Sequence, residues 1–363
     1  MEPPVGMLTR RQAIAILGAG GVVSAQTTAS AFAKGAIIRT VLKDLPPESL
    51  AAGATLFHEH MSLAPEFLPK FMSLLAAGRG GLAPAPPPPS APATKYFLQD
   101  LDLLTDELRA AKTEGVACLV DGGHPDMGRS LDFLKRLSAA SGMPIVSGTG
   151  YYTQPFYPPE IATMNEDQIA HELIRQAKAE PYGAFGEIGT WDEITPDERK
   201  VFRAVAKAHL ATNLPIFTHT NFGKAALEQL DIFESLGVNP RKVAIGHVGG
   251  LIDPKVEVHK ALCKRGAFVG FDRQGGPGDS RQVPMVMALI EAGYADNLLF
   301  ASDFSSAAQL KRNGGAGYAK TVTVFAPKLR EAGAKEETLH GILVDNPRRF
   351  LAFVPKSASA ALG

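Results

Sequence analysis

Eight short apolar runs recur along the chain, each followed by a helix-sized segment, and this alternation constrains the fold more than any other feature. The runs are 54–58 (ATLFH), 116–121 (VACLVD), 144–148 (PIVSG), 183–187 (GAFGE), 215–219 (PIFTH), 242–247 (KVAIGH), 267–272 (AFVGFD) and 297–303 (NLLFASD). From Glu187 the successive steps to His219, His247, Asp272 and Asp303 are 32, 28, 25 and 31 residues, each long enough for one strand, loop and helix. Strands alternating with helices imply a parallel sheet. An α/β fold of the (β/α)8 TIM-barrel type, with its active site at the C-terminal ends of the strands, is the first expectation. An open doubly wound sheet is the alternative. The helix after the fourth run can be read closely: Thr195 as N-cap, Pro196 at the first helical position and Glu198 closing a capping box. Val201, Phe202, Val205 and Leu210 supply its buried stripe, and Asn213 ends it.

Two segments stand outside the repeat. Arg10 and Arg11 precede an apolar stretch from Ala13 to Val23 and an Ala31-Phe32-Ala33 cleavage motif, which reads as a twin-arginine signal over residues 1–33. That stretch falls short of the roughly 20 residues that span a bilayer, so cleavage near Lys34 and export to the periplasm or beyond are expected. The barrel would then occupy 34–355, with a short tail at 356–363. The second segment follows the first run. From His60 to Asp121 is 61 residues, about double the usual step, with a Pro84-Ala85-Pro86-Pro87-Pro88-Pro89 cluster inside it. Residues 61–95 therefore read as a surface loop, either a lid that shapes the substrate site or an unstructured insertion.

The net charge of +0, with no long basic run, argues against nucleic acid or an anionic membrane as partner and favours a small-molecule substrate. Nothing in the sequence excludes a homodimer. Cys118 and Cys263 lie far apart without CxxC spacing, so they read as packing residues in a strand and a helix.

The polar residues at the run ends carry the chemistry. His58 and His60 form His-x-His, and alternate residues of a strand share a face. Alone that pair reads more readily as two packed histidines flanking Glu59. His219, His247 and Asp303, however, end three further runs, and Glu187 ends another within an apolar, glycine-rich stretch. A barrel gathers such strand-end residues at one mouth. A buried carboxylate is costly unless charge compensates it, and dications would do so. Four imidazoles and two carboxylates without thiolate suit Zn²⁺, with Mn²⁺, Co²⁺ or Fe²⁺ also compatible. Six ligands exceed what one catalytic zinc uses, so two ions are expected. His58, His60 and Asp303 are assigned to one, His219 and His247 to the other, and Glu187 to the bridge. A hydroxide between them would be nucleophilic near neutral pH. His124 sits in a loop near this mouth and is a candidate substrate contact, while His171, His209, His259 and His340 read as surface or packing residues.

These motifs together resemble the phosphotriesterase family of the amidohydrolase superfamily, whose members include phosphotriesterase-like lactonases. The resemblance runs through 55–61 (TLFHEHM), 120–129 (VDGGHPDMGR), 147–152 (SGTGYY), 194–220, 245–250 (IGHVGG), 270–275 (GFDRQG), 300–306 (FASDFSS) and 346–351 (NPRRFL). It implies a (β/α)8 barrel, two divalent metals and hydrolysis of lactones, carboxylic esters or phosphotriesters by a bridging hydroxide. Many members carry a carboxylated lysine at the fourth strand, where this chain has Glu187, as in a related branch. By position Arg273 matches an arginine at the seventh-strand rim of lactonase-like members, and Tyr152 or Tyr151 their third-strand aromatic. These would orient the lactone carbonyl and leaving oxygen, with Asp303 relaying the proton. Otherwise Arg273 pairs with Asp272 or Asp279. Competing readings are an amide-cleaving or deaminating amidohydrolase, and an exported binding protein that holds metal structurally.

Overall fold

The computed structural model describes residues 32–78 and 95–356. The proposed signal segment up to residue 31, the proline cluster and the last seven residues lie outside that description.

Eight parallel strands form one sheet in sequential order. They are β1 (Ala54–Glu59), β2 (Val116–Asp121), β3 (Ile145–Thr149), β4 (Tyr182–Gly189), β5 (Ile216–His219), β6 (Val243–Ile245), β7 (Phe268–Phe271) and β8 (Leu298–Phe300). Each coincides with one of the eight apolar runs. Sequential order has no switch point, which rules out the doubly wound alternative. Closure is made just past the strands: Asp303 N–H donates to the His58 carbonyl and His60 N–H to the Phe304 carbonyl, both at 3.2 Å. The sheet is therefore a (β/α)8 barrel.

Strands buried on both faces need apolar side chains on both. One face packs outward: Leu119, Ile145, Phe185, Ile216 and Val269 meet the helical layer. The other fills the barrel with Phe57, Val120, Val146, Ala184, Phe217, Ala244 and Leu299. Large and small residues are mixed there. The Phe57 and Phe217 rings meet edge to face at 6.4 Å, and a Cβ on Gly270 would lie 2.5 Å from Phe57 Cζ, so that position must stay glycine. Ile38, Leu50, Phe350 and Leu351 close the N-terminal end of the interior, and Ile37 and Phe353 exchange two backbone hydrogen bonds of 2.9 Å.

The helix after β4 runs Pro196–Thr212 with both capping-box bonds, and Asn213 ends it in the left-handed region at φ 65°. Val201, Phe202 and Val205 are buried as expected, but Leu210 is 38% exposed. The inner face there is taken by Ala206, Ala208 and His209, whose Nδ1 lies 2.7 Å from the Leu214 carbonyl. Cys118 and Cys263 are both buried thiols, in β2 and in the helix Glu257–Arg265. No helix among the described residues is long and apolar enough to cross a membrane.

The double-length step after β1 departs from expectation. Phe67–Gly78 is a helix, α1, in place of a loop. Phe67, Phe71 and Leu74 recur at helical spacing and pack on the core, a stripe overshadowed in sequence by the prolines beyond it. Residues 79–94 of the proposed lid lie outside the described residues.

Candidate metal centre

Six residues from five strands converge at the C-terminal mouth. Glu187, near the end of β4, stands at their centre. Its Oε1 is 3.3 Å from His60 Nε2; its Oε2 is 2.9 Å from His219 Nδ1, 3.3 Å from His58 Nε2 and 3.5 Å from His247 Nε2. Asp303 Oδ1 lies 3.2 Å from His60 Nε2. The structure thus brings together all six residues singled out as ligands.

Two groups have ligand atoms within 4.8 Å of one another: His58, His60 and Asp303, and His58, Glu187 and His247. The first is the trio assigned to one ion. The second differs from expectation, because His58 faces both groups and His219 belongs to neither. His219 Nδ1 is instead shared between Glu187 and the Tyr152 hydroxyl, 3.2 Å away.

The backbone is strained where these residues emerge. His247, Arg273 and Asp303 adopt left-handed φ angles of 59°, 66° and 48°. Each such residue costs about 1 kcal/mol or more, a cost that concentrates at functional sites. Gly186 has φ 148°, and a Cβ there would lie 2.3 Å from the Phe217 ring, so only glycine lets the chain deliver Glu187 at this point.

The electrostatics follow from four imidazoles enclosed with carboxylates. Burial would raise the Glu187 carboxyl, yet the His58 and His219 imidazoles hold it well below the usual range. Burial opposes ionisation of Asp303 too, and His60 and Arg273 overcome it. Burial lowers His60, but Asp303 and Glu187 outweigh this and bring it to about 9. For His219 burial wins, aided by His247, and it falls to about 4. The carboxylates are thus anionic, and without metal the charge that compensates them comes from imidazoles raised by those carboxylates and from Arg273.

Sequence reasoning named Asp272 as a run end and as a partner for Arg273, and missed its contact with the imidazoles. Its carboxylate lies 3.1 Å from His58 Nδ1 and 2.7 Å from His247 Nδ1, and accepts from His247 N–H at 3.1 Å. Fixing Nδ1 leaves Nε2 of both rings turned toward Glu187. Its place at the end of β7, in step with the other strand-end residues, was the signal. Two further buried carboxylates brace the mouth. Glu59 accepts from Ser302 N–H, Ser302 Oγ and Phe304 N–H, and Asp121 from Met61 N–H and Gly123 N–H.

Arg273 pairs with neither Asp272 nor Asp279. Its Nε donates to Asp303 Oδ2 at 2.9 Å, and its guanidinium lies 5.4 Å from the Phe222 ring centroid. Of the two tyrosines Tyr152 reaches the site, its phenol pushed well above its ordinary value by burial and by Glu187 and Asp303. Tyr151 packs against Tyr157. His124 is fully buried, 3.6 Å from Asp126, and offers no surface to a substrate. Of the remaining histidines, His209 and His259 are buried and His171 and His340 exposed, as expected of packing and surface roles.

The residues present fit metal. His58 Nε2 is buried without a hydrogen-bond partner while facing a carboxylate, and the donor set holds only nitrogen and oxygen.

Fold and site together define a (β/α)8 barrel with a histidine–carboxylate cluster of metal-binding composition at its mouth. The family model of the phosphotriesterase family matches residues 38–351, and the chain belongs to that family. The phosphotriesterase homology protein of Escherichia coli is 32% identical over 263 residues, 70% of this chain and 89% of that protein. The N-acetyltaurine hydrolase of Danio rerio is 27% identical over 352 residues, 87% of this chain and 98% of its own. The crystal structure of a lactonase from Listeria monocytogenes superposes with a TM-score of 0.71 at 25% identity, covering 87% of this chain and 98% of that one.

Proposed function

We propose that the chain is a dinuclear metal-dependent hydrolase of lactones or carboxylic esters, with phosphotriesters as secondary substrates. The observation that carries this is the attitude of Glu187. One carboxylate oxygen turns to His60 and the other to His58, His219 and His247, so both oxygens face imidazoles, as a residue shared between two ions would. His58, His60 and Asp303 would hold one ion, with His219 and His247 on the other side of Glu187. Zn²⁺ suits this set, and Mn²⁺, Co²⁺ and Fe²⁺ are compatible. Two such ions would polarise the carbonyl and make water nucleophilic near neutral pH.

The protein's own part is orientation and proton handling. Asp272 fixes the tautomers of His58 and His247. Asp303, which has one oxygen on His60 and the other on Arg273, would take up the proton released on attack and pass it to the leaving oxygen. Arg273 and the Tyr152 phenol would stabilise charge developing on the substrate oxygens. The twin-arginine reading of residues 1–33 adds that the folded, loaded protein acts outside the cytoplasm.

Amide cleavage is the second reading, favoured by the N-acetyltaurine hydrolase relative, whose length is almost fully matched. A screen of lactones, aryl esters, phosphotriesters and N-acyl amines on protein of measured metal content separates the two. Lactone or ester turnover that chelation abolishes without unfolding the chain is expected. Turnover confined to N-acyl amines would favour the amide reading. Unfolding on chelation, with no substrate cleaved, would point to a structural metal.

A further inference from the structure

Beside the ring of imidazoles lies a cavity of about 490 Å³. Its walls come from the loops after β4, β5 and β6: Trp191, Phe222, Leu251 and Ile252, with Leu75 of α1 and Arg281 of the helix Asp279–Glu291. These loops are built together. Asn221 donates to Asp192 at 2.5 Å and Lys224 pairs with the same carboxylate, which ties the β4 loop to the β5 loop. A Cβ on Gly250 would lie 3.0 Å from Phe222 Cα, and one on Gly223 2.7 Å from Leu251 Cβ, so the β5 and β6 loops meet glycine to backbone and side chain.

The cavity adjoins the metal centre on two sides. Phe222 lies beneath the Arg273 guanidinium, which is bonded to Asp303. The Trp191 ring meets Phe71 at 5.6 Å, and Phe71 stands edge-on to His219 at 6.1 Å. A substrate reacting at the imidazoles could therefore extend its other end here.

The lining is mostly apolar, and Ile252 is 85% exposed. Among the charged side chains that line it, Asp192 and Lys224 are joined to each other, whereas Arg281 is exposed and makes no ion pair or side-chain hydrogen bond with any described residue. An apolar chamber with a free guanidinium at its rim matches one kind of ligand.

Resting on the hydrolase reading, we propose that this cavity receives the non-reacting end of the substrate, an apolar tail of several carbons terminated by an oxyanion that Arg281 binds. Carboxylate and sulfonate share that chemistry. The apolar walls contribute affinity and the guanidinium the choice between charged and neutral tails.

Trp191 is the only tryptophan in the chain, so its fluorescence reports on the cavity directly. The intact protein is titrated with hexane-1-sulfonate and with hexan-1-ol, neither of which has a bond to hydrolyse. The sulfonate should saturate with a Kd about tenfold below that of the alcohol, the scale of one charge-assisted contact at an exposed rim. Arg281→Gln should erase the difference, and Arg281→Lys should retain part of it. Equal binding of the two probes, no response to either, or an Arg281→Gln variant that keeps the wild-type preference would overturn the assignment. Failure of the hydrolase reading would show separately, as absent turnover in the substrate screen.

Discussion

The two halves of the barrel interior are built on opposite principles. Below, Phe57, Val120, Val146, Ala184, Phe217, Ala244 and Leu299 form an apolar filling with no charge to compensate. Above, on continuations of the same strands, four imidazoles and the carboxylates of Glu187, Asp272 and Asp303 are enclosed together, on backbone that is left-handed at His247, Arg273 and Asp303. The lower half stabilises the fold; the upper half encloses charges whose burial costs stability. A barrel separates these tasks along one axis, so the mouth can be strained because the interior beneath it is not.

Four perturbations test that contrast. The largest effect should come from below. Phe217→Ala removes a fully buried ring that packs against Phe57 and His58, and should lower unfolding free energy by about 3–5 kcal/mol. Denaturant melts would measure it. A loss under about 1 kcal/mol would mean that the lower half is not the stabilising one.

Next comes the pH dependence of metal-free protein. His60 is raised from its ordinary 6.5 to about 9 by Asp303 and Glu187, against the lowering by burial. A histidine raised on folding contributes stability below its unfolded value, and that contribution is lost as pH climbs through the folded one. Metal-free protein should therefore lose stability between about pH 6.5 and 9, by at most about 3 kcal/mol. Metal-loaded protein should not, since a liganded imidazole is already neutral. Parallel melts across that window distinguish them, and identical slopes would contradict the raised His60 inferred for the metal-free mouth.

Asp272→Ala should weaken metal binding about 10- to 100-fold, because it frees the His58 and His247 rings without removing a ligand. Competition with a chromophoric chelator reads this out, and unchanged affinity would leave Asp272 a purely structural residue. The smallest effect is expected at Arg273. Arg273→Ala should keep its metal and lose about tenfold more activity toward a lactone than toward an activated aryl ester, whose leaving group needs less help. Equal losses on both substrates would argue for a role confined to its pairing with Asp303.

The contrast also explains what sequence could and could not disclose. The lower half was legible because each strand is a continuous apolar run, and the six strand-end residues because barrel geometry turns sequence spacing into convergence. Less legible were features set by three-dimensional approach. Asp272 looks like another run end until two imidazoles are seen on it. His219 does lie beside His247, with ring centroids 4.4 Å apart, but spacing alone did not disclose the Tyr152 hydroxyl 3.2 Å from its Nδ1. Leu210 was placed in a buried stripe that alanines and His209 fill instead. The helix Phe67–Gly78 was hidden by the proline cluster after it, although it brings Phe71 against His219.

The proposed sharing of Glu187 between two ions is tested most directly by counting metal. Metal-free wild-type protein, reloaded with Zn²⁺ in buffer stripped of bicarbonate, should bind about two ions per chain and regain turnover, because a glutamate needs no carbon dioxide to become an anion. Glu187→Gln keeps the shape and removes the charge; it should lose at least one ion and about 100-fold or more in rate. A variant that retains both ions and the normal rate would show that Glu187 is not the shared ligand.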